Sequence, residues 1–151
     1  MDNSLFSALA AGDGAQAQEL LAGGADVNGC DEAGRSPLMV AAGYGLADCV
    51  ALLLERGADV NLQAEEGETA LMGAAGSGNL AIVEILIGAG ANSTLMDQSG
   101  TTAMEYAAIK GHGDVVRYFR DTQPMNSEAI RRSRFVAEVF DHPQVVAILT
   151  P

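Results

Sequence analysis

A spacing of 33 residues recurs along most of this chain and limits what it can fold into. Three sets of glycines and one set of alanine pairs follow it: Gly24, Gly57 and Gly90; Gly34, Gly67 and Gly100; Gly45, Gly78 and Gly111; and Ala41-Ala42, Ala74-Ala75 and Ala107-Ala108. Chains with such a period form solenoids, in which each unit is one small motif that packs mainly on its neighbours. The period therefore predicts a stack of similar units.

Each unit carries the signals of two short helices. Ser36, Thr69 and Thr102 stand at predicted helix starts, where a hydroxyl can accept a hydrogen bond from a free backbone N–H group. Pro37 follows at the first helical position, where its missing N–H group costs nothing. The alanine pairs are small, so two helices can approach closely, and a second apolar helix follows each pair. The sequence predicts an all-α chain of stacked helix pairs.

The repeated segments resemble a known family. From Gly34, Gly67 and Gly100 they read G-R-S-P-L-M-V-A-A, G-E-T-A-L-M-G-A-A and G-T-T-A-M-E-Y-A-A. The motif G-A-D-V-N occupies residues 24–28 and 57–61, with a looser G-A-N at residues 90–92. Over roughly residues 3–121 the chain is similar to the ankyrin repeat. That resemblance implies an ankyrin-repeat solenoid of antiparallel helix pairs with finger-like turns between them.

The chain departs from the ankyrin pattern in one consistent way. Met39, Met72 and Glu105 stand where the family has a histidine. We expect one domain over residues 1–151, and its parts are a capping repeat at 3–33, repeats at 34–66, 67–99 and 100–124, and degenerate capping helices at 125–151. In the first part, Asn3 or Ser4 is expected to cap the first helix and Asp13 the second.

The C-terminal segment is less regular than the repeats. Val115-Val116 and Val145-Val146 are 30 residues apart, which indicates a fifth unit that has lost about three residues. Ile130, Phe135 and Val139 are predicted to share a helix face, and residues 141–144 to start a helix with a capping box. We interpret this segment as a structural cap. The alternative is a self-association or partner site built from Arg131, Arg132, Arg134, Phe135 and Phe140.

Charge is distributed unevenly along the chain. Residues 1–109 carry fifteen acidic residues and only Arg35 and Arg56, a net charge of −13, whereas residues 110–151 carry +1. A field of this sign repels phosphate, so we expect no nucleic-acid partner. The acidic surface either serves solubility alone or attracts a basic partner. Without a long apolar run or a secretion signal, we expect no membrane partner and a cytoplasmic location.

Residues for catalysis or metal binding are scarce. His112 and His142 are the only histidines, and each has one aspartate nearby without further ligands at a metal-site spacing. No nucleophile or phosphate-binding motif is present. We therefore expect no enzyme activity, no metal and no cofactor.

The resemblance implies that partners bind a concave surface of finger tips and first helices. Carried over position by position, this predicts a partner-binding set of Glu32, Arg35, Val40, Tyr44, Glu65, Glu66, Glu68, Gly73, Gly76, Ser77, Thr101, Tyr106, Ile109 and Lys110.

Within this set we predict a groove with a glycine floor. Gly73 and Gly76 would form the floor, and Tyr44 and Tyr106 would flank it, because tyrosine often dominates binding energy. The three glutamates of residues 65–68 would rim it and attract a basic, extended segment. In the alternative interpretation, the glycines only weaken a helix and the tyrosines only cover apolar surface.

Three roles fit this sequence. The favoured one is a protein–protein interaction module that acts as an adaptor or scaffold for a basic partner. The alternatives are a stoichiometric inhibitor of a basic enzyme or toxin, and a structural unit that self-associates through its C-terminal tail. Because the chain begins with Met1 and has candidate caps at both ends, we expect that it can act alone. We also expect a monomer rather than a homo-oligomer.

Overall fold

The computed structural model describes residues 4–151, which form ten α-helices and no strand. The helices follow one another in five pairs: α1 (Ser4–Ala10) and α2 (Gly14–Ala22), α3 (Pro37–Gly43) and α4 (Ala47–Glu55), α5 (Ala70–Gly76) and α6 (Leu80–Gly88), α7 (Ala103–Lys110) and α8 (Gly113–Thr122), and α9 (Ser127–Val139) and α10 (Pro143–Ile148). The predicted all-α class is confirmed. The proposed cap Asn3 lies outside the described residues.

The helices stack in two rows. The first helices α1, α3, α5, α7 and α9 contact one another in that order, and the second helices α2, α4, α6, α8 and α10 form the other row. All three alanine pairs are fully buried. Leu53, Leu86 and Phe119, spaced by 33 residues on the second helices, are also fully buried. The repeat period is therefore the period of the core.

The predicted caps start the first helices. The side chains of Ser36, Thr69 and Thr102 accept hydrogen bonds from the backbone N–H three residues later, at 3.3, 3.2 and 3.4 Å. Asp13 caps α2 in the same way through the N–H of Gln16. Each such cap stabilises its helix by about 1 kcal/mol.

Two of the residues that replace the family's histidine complete these caps. The Sδ atom of Met39 accepts from the N–H of Ser36 at 3.4 Å, and Oε2 of Glu105 accepts from the N–H of Thr102 at 2.8 Å. The hydrogen bonds at the starts of α3 and α7 therefore do not need the imidazole of a histidine.

Three turns, which we call the first, middle and last fingers, span residues 30–35, 63–68 and 96–101. The N–H of Glu65 donates to Ala33 O at 3.2 Å, and the N–H of Gln98 to Glu66 O at 2.9 Å. At Gly67, where φ is +86°, a Cβ atom would lie 2.9 Å from Cα of Asp97. The middle finger therefore needs glycine there, because the last finger packs directly against its backbone.

The last helix pair extends both rows, since α9 packs on α7 and α10 on α8. The prediction that Ile130, Phe135 and Val139 share a face was wrong. Ser133 and Ala137 are buried and Ile130 packs against the core, whereas Phe135 is 64% and Val139 61% exposed. Phe135 follows Ile130 by five positions, a rotation of about 140° beyond one full helical turn, so the two side chains point apart.

The predicted capping box at the start of α10 was also wrong. The N-cap is His142, and its side chain makes no capping bond. Instead, Nε2 of His142 lies 2.7 Å from Ile109 O, just as Nε2 of His112, the N-cap of α8, lies 3.1 Å from Gly76 O. Both histidines join a second helix to the first helix of the preceding unit.

Candidate functional site

We call the fingers and the adjoining surface of the first helices the groove. Three cavities lie along it, between α1 and α3, around α5, and between α7 and α9. The predicted partner-binding residues fall mainly around these cavities.

The central cavity, of about 290 Å³, has a floor without side chains. Gly73 and Gly76 of α5 line it, with Met39 and Met72 beside them. The 33-residue period places Val40 and Tyr106 at positions equivalent to Gly73. A Cβ atom at Gly73 would meet no atom closer than 3.6 Å. The central cavity therefore lies where α5 lacks the side chain that α3 and α7 carry at the position of Gly73.

Tyr106 forms one wall of the central cavity. Its hydroxyl donates to Oδ2 of Asp97 at 2.6 Å, and its Cβ and Cδ1 atoms lie 3.8 Å from where a Cβ atom of Gly76 would be. Oδ1 of Asp97 accepts from the N–H groups of Ser99 and Thr101. The ring is therefore held between the last finger and α5.

The hydrogen bond between Tyr106 and Asp97 shifts the pKa of both side chains. Together with burial and the charges of Asp97, Glu68 and Glu66, this bond raises the pKa of Tyr106 to about 12. Burial by itself would raise the pKa of Asp97, but the bonds from Tyr106 and the finger N–H groups outweigh it and lower that pKa. Asp97 is therefore a carboxylate, and Tyr106 a neutral phenol, at neutral pH.

The middle finger differs from the other two at its second residue, which we call the inner residue. Asp31 and Asp97 hold the first and last fingers by accepting backbone hydrogen bonds, whereas Ala64 stands at this position in the middle finger. Asp31 also pairs with Arg35 at 2.7 Å. The inner carboxylates are therefore hydrogen-bonded where they occur, and that of Asp31 is also paired with a cation.

The outer residues of the middle finger carry uncompensated charge. Glu65, Glu66 and Glu68 are exposed, and none forms an ion pair within residues 4–151. Glu68 lines the central cavity. Three carboxylates within four residues therefore concentrate negative charge at its edge.

Tyr44 is not part of the central cavity. It is 60% exposed and lines a neighbouring cavity of about 480 Å³ together with Phe6 and Glu32. Arg35 lines both cavities and lies between them. The prediction that two tyrosines flank one glycine floor was therefore wrong, since Tyr106 alone does so.

The remaining predicted residues divide between the cavities and their surroundings. Lys110 lines the central cavity, whereas Val40 lines that of Tyr44 but is only 6% exposed. Thr101 and Ile109 line the third cavity. The hydroxyl of Ser77 donates to Gly73 O and Ala74 O of its own helix. Glu65, Glu66 and Ser77 line none of the three cavities.

Several groove residues were missed by reasoning from sequence. The third cavity, of about 520 Å³, is lined by Arg131 and Phe135 of α9 as well as by α7. The sequence named both residues for an alternative partner site, but their place on the groove was missed. Met39, Met72 and Asp97, which binds the hydroxyl of Tyr106, were also missed. The replacement of aspartate by Ala64 in the 33-residue period was a usable signal, because it sets the middle finger apart. No sequence signal placed α9 on the groove, since its period is broken.

Two family models match this chain. The model of ankyrin repeats in three copies matches residues 57–128, and the model of ankyrin repeats in many copies matches residues 20–71. Together they cover residues 20–128, which include the central cavity and all three fingers. The chain belongs to the ankyrin repeat family. A comparison with curated proteins gives no match.

Membership in the ankyrin repeat family carries a general role. Ankyrin repeats are protein–protein interaction modules on a non-enzymatic fold. Within residues 4–151, no helix of this ankyrin-repeat protein is long and apolar enough to span a bilayer.

Proposed function

We propose that this ankyrin-repeat protein is an adaptor or scaffold that binds a basic protein segment in its groove. The contact would center on the middle finger and the central cavity. The residues that we assign to it are Glu65, Glu66, Glu68, Gly73, Gly76 and Tyr106. The domain would be the whole chain, with residues 125–151 closing the stack.

The observation that supports this proposal is the uncompensated charge of the middle finger. Each of its three glutamates is exposed without an ion pair in the described part of the chain. A cluster of like charges repels itself and offers little to stability. A basic partner would compensate it, and the resulting attraction would also speed the encounter. The monomeric state and the cytoplasmic location stay predictions.

The test is a binding measurement with a defined basic probe. A fluorescent peptide of alternating arginine and serine is titrated at low ionic strength with the protein and with its Glu65→Gln/Glu66→Gln/Glu68→Gln variant. Loss of three exposed charge pairs should weaken binding about tenfold, and high ionic strength should remove the difference.

The matched control is Glu19→Gln/Glu55→Gln/Glu84→Gln, which removes the same charge from three exposed positions on the second helices. We expect its affinity to stay within about twofold of wild type. Equal weakening in both variants would show that the net charge alone attracts the peptide, and the groove assignment would be wrong.

A further inference from the structure

We propose that the central cavity receives one lysine or arginine side chain of the partner. Its alkyl stem would lie on the floor of Gly73 and Gly76, and its charged end would lie beside Glu68. This inference rests on the proposed function and adds to it the chemistry of the residue that occupies the cavity.

The shape of the cavity favours a long, unbranched side chain. Its floor is the backbone of α5, a helix of seven residues and about 10 Å. Met39 and Met72 supply apolar surface beside that floor, and the ring of Tyr106 closes one side. Lysine and arginine bury their alkyl stems on such surfaces while the charged end stays near water.

The polar groups of the cavity favour a cation at the finger end. The hydroxyl of Tyr106 is already used by Asp97, so it does not donate to a ligand. Glu68 stands at the finger end of α5 and has no ion partner among residues 4–151. The face of an aromatic ring also attracts a cation. The finger end therefore offers a carboxylate and an aromatic ring.

Two cations also line the cavity, and their positions set the direction of the bound side chain. Arg35 is held by Asp31, with Nη2 and Nε at 2.7 and 2.9 Å from Oδ2, so its charge is compensated. Lys110 is the last residue of α7, at the far end of the first helices from the fingers, and it forms no ion pair in the described residues. Lys110 would repel the charged end and thereby direct it toward Glu68.

The test separates the effect of the length of the peptide's alkyl stem from the effect of its charge. Two peptides are compared by titration: the alternating arginine–serine peptide, and the same peptide with each arginine replaced by 2-amino-3-guanidinopropionic acid, which keeps the charge on a shorter stem. If a stem occupies the cavity, the short-stem peptide should bind the wild-type protein about tenfold more weakly.

A variant with a filled floor completes the test. Gly73→Ala/Gly76→Ala adds two methyl groups, neither of which meets an atom closer than 3.6 Å, so the fold should accept it. The variant should lose about tenfold in affinity for the arginine peptide and should no longer distinguish the two peptides. The control Gly88→Ala, at the end of α6 with no atom within 4 Å, should behave as wild type.

The outcomes separate the two proposals. Both peptides could bind with equal affinity, unaffected by the filled floor but weakened about tenfold in the glutamine variant of the middle finger. That result would overturn the cavity and leave the proposed function standing. Failure of both peptides to bind would overturn both. Loss of stem discrimination in the filled-floor variant alone would support the cavity.

Discussion

At the scale of single residues, Asp97 links the last finger to the groove. It accepts two N–H groups of its own turn and the hydroxyl of Tyr106. One carboxylate therefore shapes the finger and orients the ring that walls the cavity. Asp31 performs the first of these tasks in the first finger, where Arg35 takes the place of the tyrosine as its side-chain partner.

This link predicts how stability depends on pH in base. The folded pKa of Tyr106 is about 12, above the ordinary value of 10. The stabilisation that the neutral Tyr106 hydroxyl gives the folded state is therefore complete below about pH 10. It is lost as the pH rises from there toward 12. We expect urea unfolding to show a loss of about 1 kcal/mol over this range that is absent in Tyr106→Phe.

The control is Tyr44→Phe, whose side chain is exposed in a different cavity. It should keep the wild-type loss in base. If Tyr106→Phe and wild type lose stability equally above pH 10, the bond to Asp97 does not stabilise the fold.

At the scale of elements, a single ion pair joins α9 to α7. Nε of Arg132 lies 2.8 Å from Oε1 of Glu105, and its Nη2 donates to Gly100 O. Glu105 is 4% exposed and also completes the cap of α7. The C-terminal helix is therefore bound to the residue that replaces the family's histidine.

This pair predicts unequal effects of two arginine substitutions. Arg132→Ala leaves the buried carboxylate of Glu105 without its cation and should destabilise the protein by about 2 kcal/mol, less than a fully buried pair because Arg132 is partly exposed. Hydrogen exchange of α9 and α10 should rise first.

The comparison variant is Arg134→Ala. Its pair with Glu138 is exposed on both sides, so the cost should be about 0.5 kcal/mol. Equal costs for the two substitutions, measured by urea unfolding, would show that α9 is held by packing alone.

At the scale of the whole molecule, acidic charge outweighs basic charge over most of the stack. Residues 1–109 carry a net charge of −13, and the middle finger holds three of those acids within four residues. Repulsion among them opposes the compact state. Salt screens this repulsion, because the Debye length falls to about 8 Å at physiological ionic strength.

The middle finger should therefore lower stability. We expect Glu65→Gln/Glu66→Gln/Glu68→Gln to raise the melting temperature at low ionic strength. The corresponding gain in the free energy of unfolding should be less than about 1 kcal/mol, and it should disappear in high salt. Glu19→Gln/Glu55→Gln/Glu84→Gln should gain less, because its charges lie on three different helices. Equal gains would show that the cluster carries no special repulsion.

The repeat pattern made the fold predictable. Helix starts at Ser36, Thr69 and Thr102 follow from hydroxyls that cap locally, and the alanine pairs mark where helices approach. The period breaks after residue 124, and there the sequence misplaced the buried face of α9 and the cap of α10. A single degenerate unit carries no second copy against which its register can be checked.

The sequence by itself determined the class, the stacking and the residues available to the groove, because these depend on local propensity and a period read directly from the chain. Only the tertiary structure decided which of those residues meet. Tyr106 reaches the glycine floor because Asp97 holds its hydroxyl, whereas Tyr44 lies across Arg35 in a separate cavity. The direction of a side chain depends on partners from other units, and a repeat pattern specifies positions but not those contacts.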